Sequence, residues 1–155
     1  MHVDSSGLTI LPEHECLALL GSAEIGRIVF TDRALPAVQP VNFHLDGNTL
    51  VIRTGAGSKL AAATRDAIVA FETDEFDSAA RTGWSVTAVG HARAVEDPAE
   101  LARLAALPLW PWAPGERDHY IVVSVERLSG RRITPAPPSG SASHPRPAAP
   151  PPACP

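Results

Sequence analysis

A small β-barrel with helices plugging its ends is the mainly β fold class that this sequence predicts. Three observations carry the expectation. Residues favouring extended chain gather in several short runs, whereas few segments carry helix signals. Asp46-Gly47-Asn48 joins two of those runs, a strong hairpin signal because Asp-Gly tolerates positive φ. A chain of 155 residues with 45% hydrophobic and 19% charged content has room for one domain with a real core.

The elements follow in order. Residues 12–22, "PEHECLALLGS", predict a helix: Pro12 suits a first turn, Glu13 and Glu15 suit its N-terminal end, and Gly21 can stop it. "IGRIVFT" (25–31) and "AVQPVNFHL" (37–45) are strands parted by an Asp/Arg/Pro turn, and "TLVIRT" (49–54) completes the hairpin. "SKLAAATR" (58–65) reads as a short helix capped by Ser58, and "AIVAFETD" (67–74) as the next strand. "GWSVTAVGHARAVE" (83–96) predicts a long strand with Ala88, Gly90, Ala92 and Ala94 on one face. Such a stripe admits a flat ligand or a second backbone, and tight barrel closure explains it equally well. Asp97 and Pro98 start a helix over 97–107, "PLWPWAPGERD" is a proline-stiffened aromatic loop, and "HYIVVSVERL" (119–128) reads as one last strand. The folded domain is expected over 1–133. Residues 134–155 hold nine of the sixteen prolines and read as a disordered tail, with Cys154 an idle exposed thiol.

Charge and composition exclude several functions. A net charge of −4 argues against a nucleic-acid or anionic-membrane surface. No long apolar span occurs and the N-terminus has no leader pattern, which predicts a cytoplasmic protein. Cys16 and Cys154 make neither a disulfide framework nor a metal site. His44 and His91 have no ligand partner at suitable spacing and read as surface or interface histidines; no metal is expected. Glu72, Asp74, Glu75 and Asp77 read as a solvated strand end, and no Ser-His-Asp or paired-carboxylate arrangement suggests hydrolysis.

The informative stretch is "IRTGAGSKL" (52–60), where Lys59 is the only lysine of the chain. It is neither a Walker A loop nor a dinucleotide fingerprint. Its order, strand, glycine turn, then Ser-Lys opening a helix, leaves two readings open. One is a phosphate cradle to which Arg53 adds a bidentate fork; the other is a surface loop with solvated cations and a serine cap.

The order "VQPVNF…DGNTLVIRTGAGSKL…VAFETDEFD…GWSVTAVGHARAVED…PWAPG…YIVVSVERLSGRRI" resembles the pyridoxamine-5'-phosphate-oxidase-like split-barrel flavoproteins, in their short bacterial branch, over about residues 10 to 133. The resemblance implies a homodimeric split β-barrel with FMN in each of two grooves between the chains. It also implies site residues. Arg53, Ser58 and Lys59, with Leu60 beside them, match phosphate-binding positions. Val41, Asn42 and Phe43 match the strand along the flavin ring, and Thr54 offers a hydroxyl to the ribityl chain or ring. Trp84, Ser85 and Val86 match the strand by which the second subunit closes over the cofactor, and Trp112 the loop aromatic near the ring. For the tryptophans, core or interface packing is the competing reading.

The implied function is an FMN-dependent oxidoreductase of unassigned substrate, working with a small-molecule electron donor and acceptor. No catalytic acid or base is evident. The authentic oxidase carries further basic residues for its substrate's phosphate, so pyridoxamine phosphate is not the expected substrate. Two alternatives accompany this reading: a deazaflavin-dependent reductase of the same fold, and a non-catalytic flavin- or haem-binding carrier or sensor. The deazaflavin coenzyme's polyglutamyl tail would want an extended basic groove that this acidic chain does not favour.

Overall fold

The computed structural model describes residues 1–135; the proline-rich segment beyond, with Cys154, lies outside the described residues. In chain order the elements are β1 (Thr9–Ile10), α1 (Glu13–Ser22), β2 (Ile25–Asp32), β3 (Leu35–Asp46), β4 (Thr49–Thr54), α2 (Lys59–Ala63), β5 (Ile68–Asp77), β6 (Thr82–Ala94), α3 (Pro98–Ala105), β7 (His119–Ser124) and β8 (Arg127–Ile133). All strand pairs are antiparallel. The order β1-β8-β6-β5-β2-β3-β4-β7 is closed into a barrel by an added β6–β7 pairing.

Local signals explain most boundaries. Ser58 caps α2 by accepting the Ala61 N–H at 3.0 Å, and Asp97 caps α3 by accepting the Glu100 N–H at 2.9 Å. The β3–β4 turn carries Gly47 at φ +62°, as the Asp-Gly pair requires.

The final strand was expected as one run over 119–128. Instead the chain breaks at Val125–Glu126, and "RLSGRRI" forms β8, which takes Arg127 and Leu128 from the expected strand and adds residues 129–133, expected in no element. β1 is likewise an addition. The break has its reason in β6. That strand pairs with β8 through Val89 and with β7 from Ala92, so β7 and β8 must part beside Gly90. There the chain passes so close that a Cβ on Gly90 would lie 1.5 Å from the Ser124 carbonyl oxygen. Tight barrel closure therefore accounts for the small-residue stripe at this point.

Inward-facing residues of β2 to β8 fill the barrel, with Phe43 and Phe71 meeting edge to face at 4.6 Å between centroids. Burying each such side chain contributes about 2 kcal/mol. A second cluster packs Leu104 of α3 and Leu109 against Val51, Tyr120 and Val122, which seats the aromatic loop on β4 and β7.

The acidic run departs from expectation. Glu72 and Asp74 are half-buried on the outer sheet face and both pair with Arg27, Asp74 at 2.7 Å. Burial pushes the Glu72 carboxyl above its ordinary range, against the pull of Arg27. Exposed His91 meets the Glu126 carboxylate at 2.6 Å.

Candidate functional site

The site begins where β3 and β4 separate. Their ladder ends at the pair Phe43–Ile52, although both strands continue. Toward its start β3 stays paired to β2 through Leu35–Asn42, while beyond Ile52 β4 stays paired to β7 through Arg53 and Thr54. Between them the β3 edge has no partner strand among the described residues. Pro36 and Pro40 have no N–H to give, so the even-numbered residues direct their main-chain groups away from β2. The Asn42 N–H and the Pro40 C=O accordingly face the gap, with the Asn42 C=O at the last rung of the β3–β4 ladder.

The loop between α3 and β7 lies along this gap, held from both strands. Asn42 Oδ1 accepts the Trp112 N–H at 2.9 Å. From β4, Arg53 donates Nε to the Arg117 carbonyl at 3.0 Å and Nη1 to the Leu109 carbonyl at 3.3 Å. Its guanidinium also lies over the Tyr120 ring, 5.4 Å from the centroid, with Asp118 at 3.8 Å. The result is a cleft of about 200 Å³ lined by Gln39, Pro40, Val41, Asn42, Arg53, Thr54, Leu60, Pro111, Ala113 and Arg117.

Four side chains decide what the cleft can hold. Val41 and Leu60 are buried and give it an apolar floor. Thr54 is buried, and its hydroxyl meets the Ser58 hydroxyl at 2.9 Å. Arg117 Nε is buried with no hydrogen-bond partner in the chain, and it is the one such side-chain atom among the described residues. A buried guanidinium Nε left unpaired is costly, while Arg117 as a whole is half-buried and sets its cation at the cleft wall. An apolar floor, a strand edge with free main-chain groups and a cationic side chain at the wall suit a flat heteroaromatic ring with oxygen and nitrogen along one side.

The sequence-derived site residues divide between places. Val41, Asn42, Arg53, Thr54 and Leu60 share this cleft. Phe43 adjoins it on β3, but its ring points into the barrel core. Ser58 spends its hydroxyl on the α2 cap and on Thr54, and Lys59 opens α2, its side chain lying outside the described residues. Trp112 is exposed on the loop, joined to the cleft by its main-chain N–H.

Trp84, Ser85 and Val86 lie elsewhere in the chain. Their main chains pair with Arg132, Arg131 and Gly130 of β8, and Trp84 lines a shallow depression with Glu75 and Arg132. Val86 is fully buried in the barrel core. Sequence reasoning missed Arg117 and Gln39; nothing in "PGERD" marks its arginine as a half-buried cleft residue.

A second cavity, of about 510 Å³, lies beside α2, bounded by α2, the end of β6, α3 and the start of β7. It shares Thr54 with the first.

The family profile described as pyridoxamine 5'-phosphate oxidase matches residues 12–132. An uncharacterised protein of Mycobacterium tuberculosis is 38% identical over 128 residues, 79% of this chain and 84% of its own. Among solved structures, an FAD binding protein of Mycobacterium smegmatis superposes with a TM-score of 0.68 at 38% identity, covering 81% of this chain and 97% of that one. A conserved protein of unknown function from Corynebacterium diphtheriae gives 0.69 at 31% identity, covering 82% and 98%. A family match over most of the folded domain and a split barrel of the same form lead to one conclusion: this chain belongs to the pyridoxamine 5'-phosphate oxidase family.

Proposed function

We propose that the chain binds a flavin nucleotide in the β3–β4 cleft and works as a flavin-dependent oxidoreductase on a small molecule. The observation that carries the reading is the cleft itself, where the unpartnered edge of β3 and the half-buried Arg117 side chain stand around an apolar floor of Val41 and Leu60. The Mycobacterium smegmatis relative, an FAD binding protein, supports flavin as the ligand class. FMN is the smallest nucleotide that would use every feature of the sequence-derived site, with its phosphate toward Ser58 and Lys59.

When bound, the flavin supplies hydride and electron transfer. The chain's own residues hold and bias it. The Asn42 main chain is placed to pair with the polar edge of the ring, and Arg117 would put a fixed positive charge beside it. Asn42 and Arg53 keep the aromatic loop in register with both strands, and the loop limits access of water. Among the described residues lining the cleft there is neither carboxylate nor histidine, so a proton needed in turnover would come from substrate or solvent.

The reading includes a homodimer. A cleft of about 200 Å³ is smaller than nucleotide sites, which run from roughly 300 Å³ upward, so a further wall is needed. Trp84 and Ser85 are candidates for that wall from a second copy. On the outer sheet face Val38, Val29, Ala70 and Val89 pair across four neighbouring strands into one apolar row, and Val38 is 63% exposed. Val38→Glu is expected to shift the mass in light scattering from two chains to one and to release the flavin.

The visible absorption spectrum of the purified protein, with mass identification of what heating releases, tests the proposal. Flavin bands and a flavin mass are expected. A Soret band, a deazaflavin band or a colourless protein that takes up no added flavin would overturn it.

A further inference from the structure

We infer that the aromatic loop between α3 and β7 carries a second site, one that binds the quaternary ammonium group of a small organic cation. Alternate residues of the loop serve different spaces. Pro111 and Ala113 line the cleft, whereas Trp110 and Trp112 line a separate hollow of about 80 Å³ with Glu24, Asn42, Phe43 and Leu109. A hollow of that size suits one headgroup, since sites for whole drug-sized ligands run from roughly 300 Å³ upward.

Both indoles stand in solvent, Trp110 at 76% and Trp112 at 67% exposure, yet the loop that bears them is held. Leu109 is buried and its carbonyl accepts Arg53 Nη1, while Asn42 Oδ1 accepts the Trp112 N–H. Pro108, Pro111 and Pro114 restrict the main chain between these anchors. Two exposed indoles on a fixed backbone are a prepared surface for a ligand that favours aromatic faces.

Charge decides which ligand. Glu24 is the one charged side chain lining the hollow among the described residues. It is exposed and has no ion-pair partner among them. Neighbouring polar groups are already engaged. The Glu24 carbonyl accepts Asn42 Nδ2 at 3.4 Å and the Phe43 N–H at 3.2 Å, and Asn42 Oδ1 is spent on Trp112. The hollow thus offers aromatic faces and a negative charge, but few free acceptors for N–H donors. A quaternary ammonium matches that inventory, because it carries charge with no N–H to satisfy. A lysine ammonium, strongly hydrated and with three donors, matches it poorly. The cleft on the other side of the loop has the opposite character, with Arg53 and Arg117 in its wall.

The test titrates choline chloride into the purified full chain, read by indole fluorescence against sodium chloride at equal ionic strength. A saturable change with a midpoint on the order of 1–10 mM is expected. The alcohol with a tert-butyl group in place of the trimethylammonium keeps the shape without the charge, and should bind at least about tenfold weaker. Acetyl-lysine amide should be at least about fivefold weaker than choline. Glu24→Gln and Trp110→Ala should each weaken choline about five- to tenfold, with the melting temperature unchanged because both side chains are exposed. No saturation below about 100 mM would overturn the inference. So would equal binding of choline and the alcohol, or variants that bind choline as the native protein does. Lysine amide binding as tightly as choline would give the hollow to a protein side chain and sink the small-molecule assignment.

Discussion

Two strands of the barrel exchange partners along their length, with opposite outcomes. β6 leaves β8 for β7 at Gly90, and the Ser124 carbonyl closes directly onto the glycine, leaving no space. β3, paired to β2 up to Asn42, is paired to β4 only from Phe43 onward; there the strands diverge and a cleft remains. The sealed exchange satisfies its backbone locally: Val125 N–H bonds to Asn48 O at 2.9 Å and Glu126 N–H to Val89 O at 3.0 Å. The open one leaves strand-edge groups for something that is not a strand. A split in a barrel becomes a site when the chain does not close it with its own main chain.

The largest expected effect breaks the sealed exchange. In Gly90→Ala the new methyl would collide with backbone rather than with a yielding side-chain tip. A loss of about 4 kcal/mol or more is expected, read as a collapse of the melting temperature or of soluble yield. An unchanged melt would mean that the β7–β8 crossing yields to a methyl group at Gly90.

At the open exchange the expected losses concern ligand rather than fold. Arg117→Gln removes a charge-assisted contact, typically about 1.5–3 kcal/mol, so flavin affinity should fall about ten- to a hundredfold. Because its Nε is unpaired in the free chain, the ligand-free melt should hold or rise slightly.

Arg53 and Lys59 sharpen the comparison further. Arg53 has its donors on the Leu109 and Arg117 carbonyls, so Arg53→Gln should loosen the loop and weaken FMN and riboflavin together. Lys59→Ala, by contrast, should cost FMN about tenfold and leave riboflavin nearly untouched. Fluorescence titration of both ligands into both variants separates a ring-side loop clamp from a phosphate contact.

The smallest effect returns to the sealed exchange. Hydrogen bonding from His91 holds the Glu126 carboxyl below its ordinary value. A depressed carboxylate stabilises the fold fully above its unfolded pKa, and the contribution is lost as pH falls through the folded value. Melts taken between about pH 3 and 7 should show a slight acid-side decline that Glu126→Gln lacks.

These contrasts also mark what the sequence made legible. The Asp-Gly turn, the Ser58 and Asp97 caps and the alternating strands are local signals, and the corresponding elements stand within a few residues of expectation. The strand break at Val125 is not local. No glycine or proline marks "SVERL", and the cause sits at Gly90, more than thirty residues earlier. Most cleft-lining site residues lay on strands whose pattern could be read. Arg117 could not be read, because its place at the cleft wall depends on how Arg53 and Asn42 hold the loop. The acidic run misled for a similar reason: Arg27, which gathers Glu72 and Asp74, belongs to a strand forty-five residues away from Glu72.

The prolines on the open edge of β3 carry a consequence for self-association. An unpaired strand edge is a template for β-aggregation, and proteins that keep one must blunt it. Pro36 and Pro40 remove every second donor along this edge, leaving those of Val38 and Asn42 at intervals that an incoming strand cannot match. A small planar ligand needs only one such donor with its neighbouring acceptors. The edge is thus selective by arithmetic: too sparse in donors to polymerise, yet sufficient for a planar ring, so the split in the barrel does not recruit other strands.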